Sequence, residues 1–272
     1  MSRRKKKRAI VALASVAAVL TAGCGLYAAA EAIRGAYPPP VSDRVLEYYS
    51  HPPTPTVAAP APLEVTTYEG IRASVTSDKS MTISVLGDST GNDAGEWVDL
   101  WAQHLSKNAT VTLHNWKEGT TSWPTRTYGT GTRQITIWNG SQPGSSGNYA
   151  RFQLHAMQPE KPNLIIYNYG HNASPNGTSA DIESLQRTAN TDWKMQIPFV
   201  VTLQNAVRGT YVPVSDMSVA ELKSWTTNRG VPVVDVRSAI PASSLGTLLI
   251  DDVHPNKQGS RIWADTVIRT LG

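Results

Sequence analysis

From about Leu63 onward, short apolar runs alternate with longer stretches in which apolar residues recur every three or four positions. Met81 to Leu86, Val111 to His114, Leu164 to Tyr167, Phe199 to Leu203 and Val231 to Val234 are brief and rich in Val, Ile and Leu. Near-continuous apolar runs of that length predict strands buried on both faces of a parallel sheet. Between them Ile182, Leu185, Ala189 and Trp193 fall at helical spacing, as do Ala220, Leu222 and Trp225, and Ile262, Trp263, Val267, Ile268 and Leu271 near the end. This alternation predicts an α/β fold, a three-layer α/β/α sandwich around a mostly parallel central sheet, in a domain spanning residues 66–272. Ser122 to Asn148 fits the pattern least. Its Gly, Ser, Thr and Trp residues surround one strand-like segment, Gln134 to Trp138, and predict an insertion near the mouth of a site.

The residues that follow the predicted strands carry the candidate chemistry. Val85-Leu86-Gly87-Asp88-Ser89-Thr90-Gly91-Asn92 delivers a serine at the end of a buried strand, where its hydroxyl is accessible and backbone N–H groups can converge on an anion. Near the other end stands Asp251-Asp252-Val253-His254-Pro255. An Asp three residues ahead of a His can hold one imidazole nitrogen and leave the other free to accept a proton. Asp252 is the rival for that role, and the bland alternative makes both aspartates caps of the terminal helix. Asp88, next to the serine, reads as a turn former. Two further stations follow predicted strands: Gly119, after Val111 to His114, and Asn172, after Leu164 to Tyr167. A glycine N–H and an Asn amide are suitable donors to an oxygen that becomes negative.

Ser89, Gly119, Asn172, and Asp251 with His254 stand in the order seen in the SGNH hydrolases, the superfamily that includes the GDSL esterases and lipases, and residues 78–272 resemble that family. The most specific part is the last block, Asp-x-x-His-Pro-Asn-x-x-Gly from Asp251 to Gly259. Thr90 stands where the GDSL name has Leu, and Ala173 follows Asn172 where many members have Asp. The resemblance implies a serine esterase of the SGNH type without a cofactor. Ser89, Asp251 and His254 would be catalytic, and Ser89, Gly119 and Asn172 would form an oxyanion hole. Trp116 and Trp123 flank the Gly119 loop and can either stack on a substrate sugar or line an acyl pocket, or simply pack. His171 reads as a supporting loop residue. His104, His114 and His155 lack metal-ligand spacing, so no metal is expected.

Residues 1–34 change the picture of where this chemistry operates. Six basic residues at positions 3–8 precede an uncharged, apolar and small-residue stretch from Ala9 to Ala30. Such a segment predicts an export signal or a membrane anchor. Cys24, the sole cysteine, fits two readings: the lipidation site of a bacterial lipoprotein box, Leu20 to Cys24, or a small apolar residue of a spanning helix. Residues 35–65 are dense in proline and predict an extended spacer, with Val45, Leu46 and Tyr49 at the spacing of a short helix. One cysteine allows no internal disulfide, so the domain must stand on its core. Removing the six basic residues takes the formal net charge from +4 to −2, so the basic balance reports topology and no nucleic-acid partner is expected. Asn108, Asn139, Asn172 and Asn176 open formal glycosylation sequons, read as chance matches. A monomeric enzyme acting on an acylated small molecule or polysaccharide outside the cytoplasm, tethered or released, is the expectation.

Overall fold

A computed structural model describes residues 67–119, 123–173 and 177–272. The predicted anchor, proline-rich spacer, Cys24 and the short helix near Val45 lie outside the described residues. Seven strands form one sheet in the order β3-β2-β4-β1-β5-β6-β7. They are β1 (Met81–Gly87), β2 (Thr110–Asn115), β3 (Thr125–Tyr128), β4 (Gln134–Asn139), β5 (Leu164–Asn168), β6 (Phe199–Leu203) and β7 (Val233–Asp235). Every pairing is parallel except that of β2 with β3.

Strand alternation sorts the apolar residues into two cores. Ile83, Val85, Ile166 and Val200 face a core completed by α1 (Tyr68–Thr76), α2 (Trp97–Leu105) and α8 (Lys257–Leu271). Leu86, Ile165, Tyr167 and Val201 face the other, completed by α3 (Gly147–Met157), α4 (Thr178–Asp192) and α5 (Val212–Arg229). Two short helices, α6 (Val236–Ala239) and α7 (Leu245–Leu248), lead into the terminal segment. The three layers expected from the sequence are present. In the first core Trp97 of α2 stacks on Trp263 of α8 at 6.0 Å, both fully buried, so the helix after the serine and the helix after the histidine share one aromatic contact. Truncating Trp263 to Ala would cost about 3–5 kcal/mol.

The left half of the sheet departs from the expectation. Gln134–Asn139 belongs to no peripheral insertion; it is the direct parallel neighbour of β1, with Ile83 beside Ile137. The strand after α2, β2, is displaced one place outward. Beyond it β3 is mostly exposed and polar, and it is fastened by Arg126 and Tyr128, which both reach the buried Asp99 carboxylate of α2. Among the described residues no helix is long and apolar enough to cross a membrane.

Candidate active site

The serine turn is held from beneath. A Cβ on Gly87 would come within 2.9 Å of Ser141 Oγ and 3.1 Å of Asn168 Nδ2, so the close approach of these neighbours needs the missing side chain. Asp88 is fully buried. Its Oδ1 accepts from Thr90 N at 3.1 Å and Thr90 Oγ1 at 2.8 Å, and its Oδ2 accepts from Gln204 Nε2 at 2.9 Å. That is an Asx-type turn, and it leaves Ser89, between the two anchored residues, half-buried. Asp88 therefore has the turn-forming place expected of it.

The histidine loop is held by its own short-range bonds. Leu249 and Pro255 form an isolated bridge, and Ile250 N donates to His254 O at 2.9 Å. Inside this loop Asp251 Oδ1 accepts from the N–H groups of Val253 at 2.8 Å and His254 at 2.7 Å. Asp251 Oδ2 lies 2.7 Å from His254 Nδ1, and His254 Nε2 lies 2.7 Å from Ser89 Oγ. Partial burial pushes the Asp251 carboxyl up, but the two backbone N–H groups and the imidazole outweigh it and hold it below its ordinary value. A carboxylate at Nδ1 fixes the tautomer with the proton there, leaving Nε2 as the acceptor for the serine hydroxyl. Asp252 turns away and pairs with Arg208 at 3.4 Å. Neither aspartate caps α8: that place belongs to Asn256, whose side chain accepts from Gln258 N and Gly259 N.

Asn172 is exposed in the loop after β5, beside the buried His171. His171 N donates to Gln204 Oε1 at 2.9 Å and its Nε2 lies 3.2 Å from Asn205 O. Burial pushes this imidazole below its ordinary value and favours the neutral ring. Glu96, whose carboxylate accepts from Asp93 N at 2.8 Å, is pushed up, burial being the largest cause, while His254 nearby pulls it back.

Gly119 is exposed after β2, and β4 lies between β2 and β1. The loop that does leave a neighbour of β1 runs from Gly140 to Ser146. Gln142 N and Ser145 Oγ both donate to Gly87 O, at 2.9 and 3.3 Å, two residues before the serine. Ser145 N returns to Gln142 O at 3.2 Å, closing a turn with Pro143 second and Gly144, at φ +73°, third. Those are the residues of a type II turn. A Cβ on Gly144 would meet nothing within 4 Å, so its backbone is open on that side. Sequence reasoning missed Gly144 because β4 was read as part of an insertion. The available signal was a strand followed, after three residues, by a Pro-Gly turn, the same strand-to-loop pattern as at Ser89 and Asn172.

Trp116 and Trp123 are half-buried and pack tilted on one another at 5.1 Å. Trp123 meets Trp138 edge-on at 4.9 Å, His114 stacks on Trp138 at 4.1 Å, and Trp116 Nε1 donates to Tyr149 OH at 3.2 Å. Glu118 accepts from Gln142 Nε2 at 3.4 Å, so this aromatic wall leans on the Gly144 turn. Burial pushes the His114 imidazole down, keeping it a neutral ring in the stack. Among the described residues no group of three or more His, Cys, Asp or Glu side chains is placed to hold a metal ion.

The sequence of residues 83–267 matches the GDSL-like Lipase/Acylhydrolase family, a span that contains Ser89, Gly144, Asn172, Asp251 and His254. The chain belongs to the GDSL-like lipase/acylhydrolase family. As a member of this GDSL-like family it is a carboxylic ester hydrolase. No curated protein matches the chain. Solved structures with the same fold include a lipolytic protein of the G-D-S-L family from Veillonella parvula DSM 2008, 16% identical, covering 71% of this chain and 98% of its own at a TM-score of 0.51. An acetylxylan esterase from Geobacillus stearothermophilus is 15% identical over 71% of this chain and 95% of its own, with a TM-score of 0.52. A two-domain esterase active on acetylated mannans is 14% identical over 75% of this chain and 51% of its own, with a TM-score of 0.55. At these identities the likeness is one of fold.

Proposed function

We propose that the protein is an extracytoplasmic serine esterase that removes O-acetyl or other short acyl groups from carbohydrate of the cell envelope. The observation that carries this reading is the unbroken chain from Asp251 Oδ2 to His254 Nδ1 and from His254 Nε2 to Ser89 Oγ, 2.7 Å at each contact. In the acylation step His254 takes the Ser89 proton as the oxygen attacks the ester carbonyl. Asp251 keeps the imidazole oriented and stabilises the imidazolium, and His254 then returns the proton to the departing sugar oxygen. Water, deprotonated by His254, hydrolyses the acyl-enzyme. The oxyanion is met by the N–H groups of Ser89 and Gly144 and the amide of Asn172, with Gly144 at the station expected of Gly119. Each such donor is worth about 3–4 kcal/mol in the transition state.

Support for a carbohydrate alcohol comes from the aromatic wall of Trp116 and Trp123 beside that turn, since flat aromatic faces suit the apolar faces of sugar rings. The esterases active on acetylated xylan and mannan, which share the fold, point the same way. The extracytoplasmic placement rests on the basic and apolar N-terminal stretch and the proline-rich spacer behind it. The enzyme would then work as a membrane-tethered or released monomer. The test is hydrolysis of p-nitrophenyl acetate and p-nitrophenyl octanoate, each against Ser89→Ala. Serine-dependent turnover confined to acetate is expected. A preference for octanoate would replace this reading with a lipase or thioesterase on longer chains. Turnover of neither ester above the variant would leave a surface carbohydrate-binding protein.

A further inference from the structure

Of the four loops that supply the groups assigned above, three leave parts of the chain distant from one another and meet at one place: the Asp88–Thr90 turn, the Gly170–Asn172 loop and the Asp251–His254 loop. Two adjacent residues just beyond β6, Gln204 and Asn205, touch all three, and both are buried. Gln204 Nε2 lies within donor distance of Asp88 Oδ2 (2.9 Å), Thr90 Oγ1 (3.2 Å) and Asn168 O (3.1 Å), and its Oε1 accepts from His171 N. A Cβ on Gly170 would stand 3.1 Å from that same Oε1, so the glycine lets the loop close onto it. Asn205 turns to the other loop: its Nδ2 donates to Val253 O at 3.0 Å and to Ala206 O at 2.7 Å. Its main-chain carbonyl meanwhile faces His171 Nε2 at 3.2 Å and Arg237 at 3.1 Å.

We infer that Gln204 and Asn205 are positioning residues that divide the alignment of the site between them, an inference resting on the esterase reading above. Gln204 sets Ser89 relative to Asn172, the hydroxyl relative to the oxyanion donor. Asn205 sets the imidazole, because its amide is the long-range contact made to Val253, the residue between Asp252 and His254. The division has a chemical consequence. Losing the Gln204 amide slackens the donors that meet the developing charge and leaves proton transfer intact, whereas losing the Asn205 amide slackens the Asp251–His254 contact and lowers the basicity that this contact confers.

The experiment compares the full chain with Gln204→Met and Asn205→Ala, turnover being divided by the concentration of sites that react with a fluorophosphonate. For Gln204→Met kcat should fall by roughly a hundredfold with KM little changed and the acid limb of the kcat/KM profile unmoved. For Asn205→Ala kcat should fall by about tenfold, and the acid limb should move to lower pH. Asn205→Asp, which keeps the shape and loses the donor, should reproduce the direction of kcat. Reduced yield of reactive sites, with per-site kcat and both pH limbs like wild type, would overturn the inference by making the pair merely structural. An NMR titration of His254, assigned by its loss in His254→Gln, reads the same alignment without turnover. If wild type hydrolyses no ester, the esterase reading fails on its own, and the inference still stands or falls on whether the His254 midpoint moves down in Asn205→Ala and stays in Gln204→Met.

Discussion

The serine turn and the histidine loop face each other across 2.7 Å, yet they are built in opposite ways. Around Ser89 the fixing groups are buried and come from distant parts of the chain, such as Gln204 on Asp88. Around His254 the bonds made by the Asp251 side chain span two or three residues, that side chain is 53% exposed, and longer-range bonds reach the loop from Asn205 and Arg208. A buried network with every member satisfied is rigid and costly to break, whereas an exposed local turn can lose one bond with little loss of stability. The serine is held from the core, and the imidazole by a carboxylate of its own loop, which the core reaches through Asn205.

The strongest way to break this comparison is Asp251→Asn. Turnover should fall by about four orders of magnitude through the wrong imidazole tautomer. Stability measured by urea unfolding should change by no more than about 1 kcal/mol. A large loss of stability would mean that the loop depends on the core after all. Asp88→Ala should do the reverse, costing about 3 kcal/mol by leaving Thr90 and Gln204 donors unpaired in the interior. An unchanged urea midpoint in that variant would remove the buried turn from the argument.

A smaller effect separates the two glycines. Gly119 and Gly144 share φ +73° and open surroundings, so an added methyl costs each about 1 kcal/mol of backbone strain. Only Gly144→Ala should also lower kcat, by about tenfold, as its turn shifts relative to Gly87. Equal kcat in the two variants would take Gly144 out of the site.

The smallest effect is on pH. His171 is held below its ordinary value of 6.5, mainly by burial, with Asp88, Arg237 and His254 as the charged groups around it. The unfolded chain therefore takes up a proton before the folded one does, and stability should decline as pH falls below 6.5 until the folded ring also protonates. His171→Gln should flatten that decline in thermal unfolding. Identical slopes in the two proteins would show that the buried ring titrates as freely as an exposed one.

Much of the fold was legible wherever burial imposes a pattern. β1, β5 and β6 are covered on both faces and show it as unbroken apolar runs, and α4, α5 and α8 bury one stripe each. Ser89, Asp251 and His254, which lie in hydrogen-bond contact, were legible for a related reason: each follows one of those elements or a local motif with fixed spacing. The left edge of the sheet was not. β3 is mostly exposed, so nothing in Thr125–Tyr128 alternates. β4 was visible as a run, but sheet order is a long-range property, and chain order alone put β2 rather than β4 beside β1. Val231 illustrates a boundary effect. Its N–H is taken by Thr226 O after the left-handed Gly230, which delays β7 to Val233.

The displaced edge has an evolutionary corollary. The wall of Trp116 and Trp123 hangs on the loop between β2 and β3, outermost in the sheet, while the serine, its turn and its base rest on inner strands and on α8. Selection can lengthen or exchange that outer loop without rewriting Ser89, Asp251 or His254, which lie elsewhere in the fold. The edge is a variable border, fastened to the inner sheet through Glu118 on Gln142 and Trp123 on Trp138.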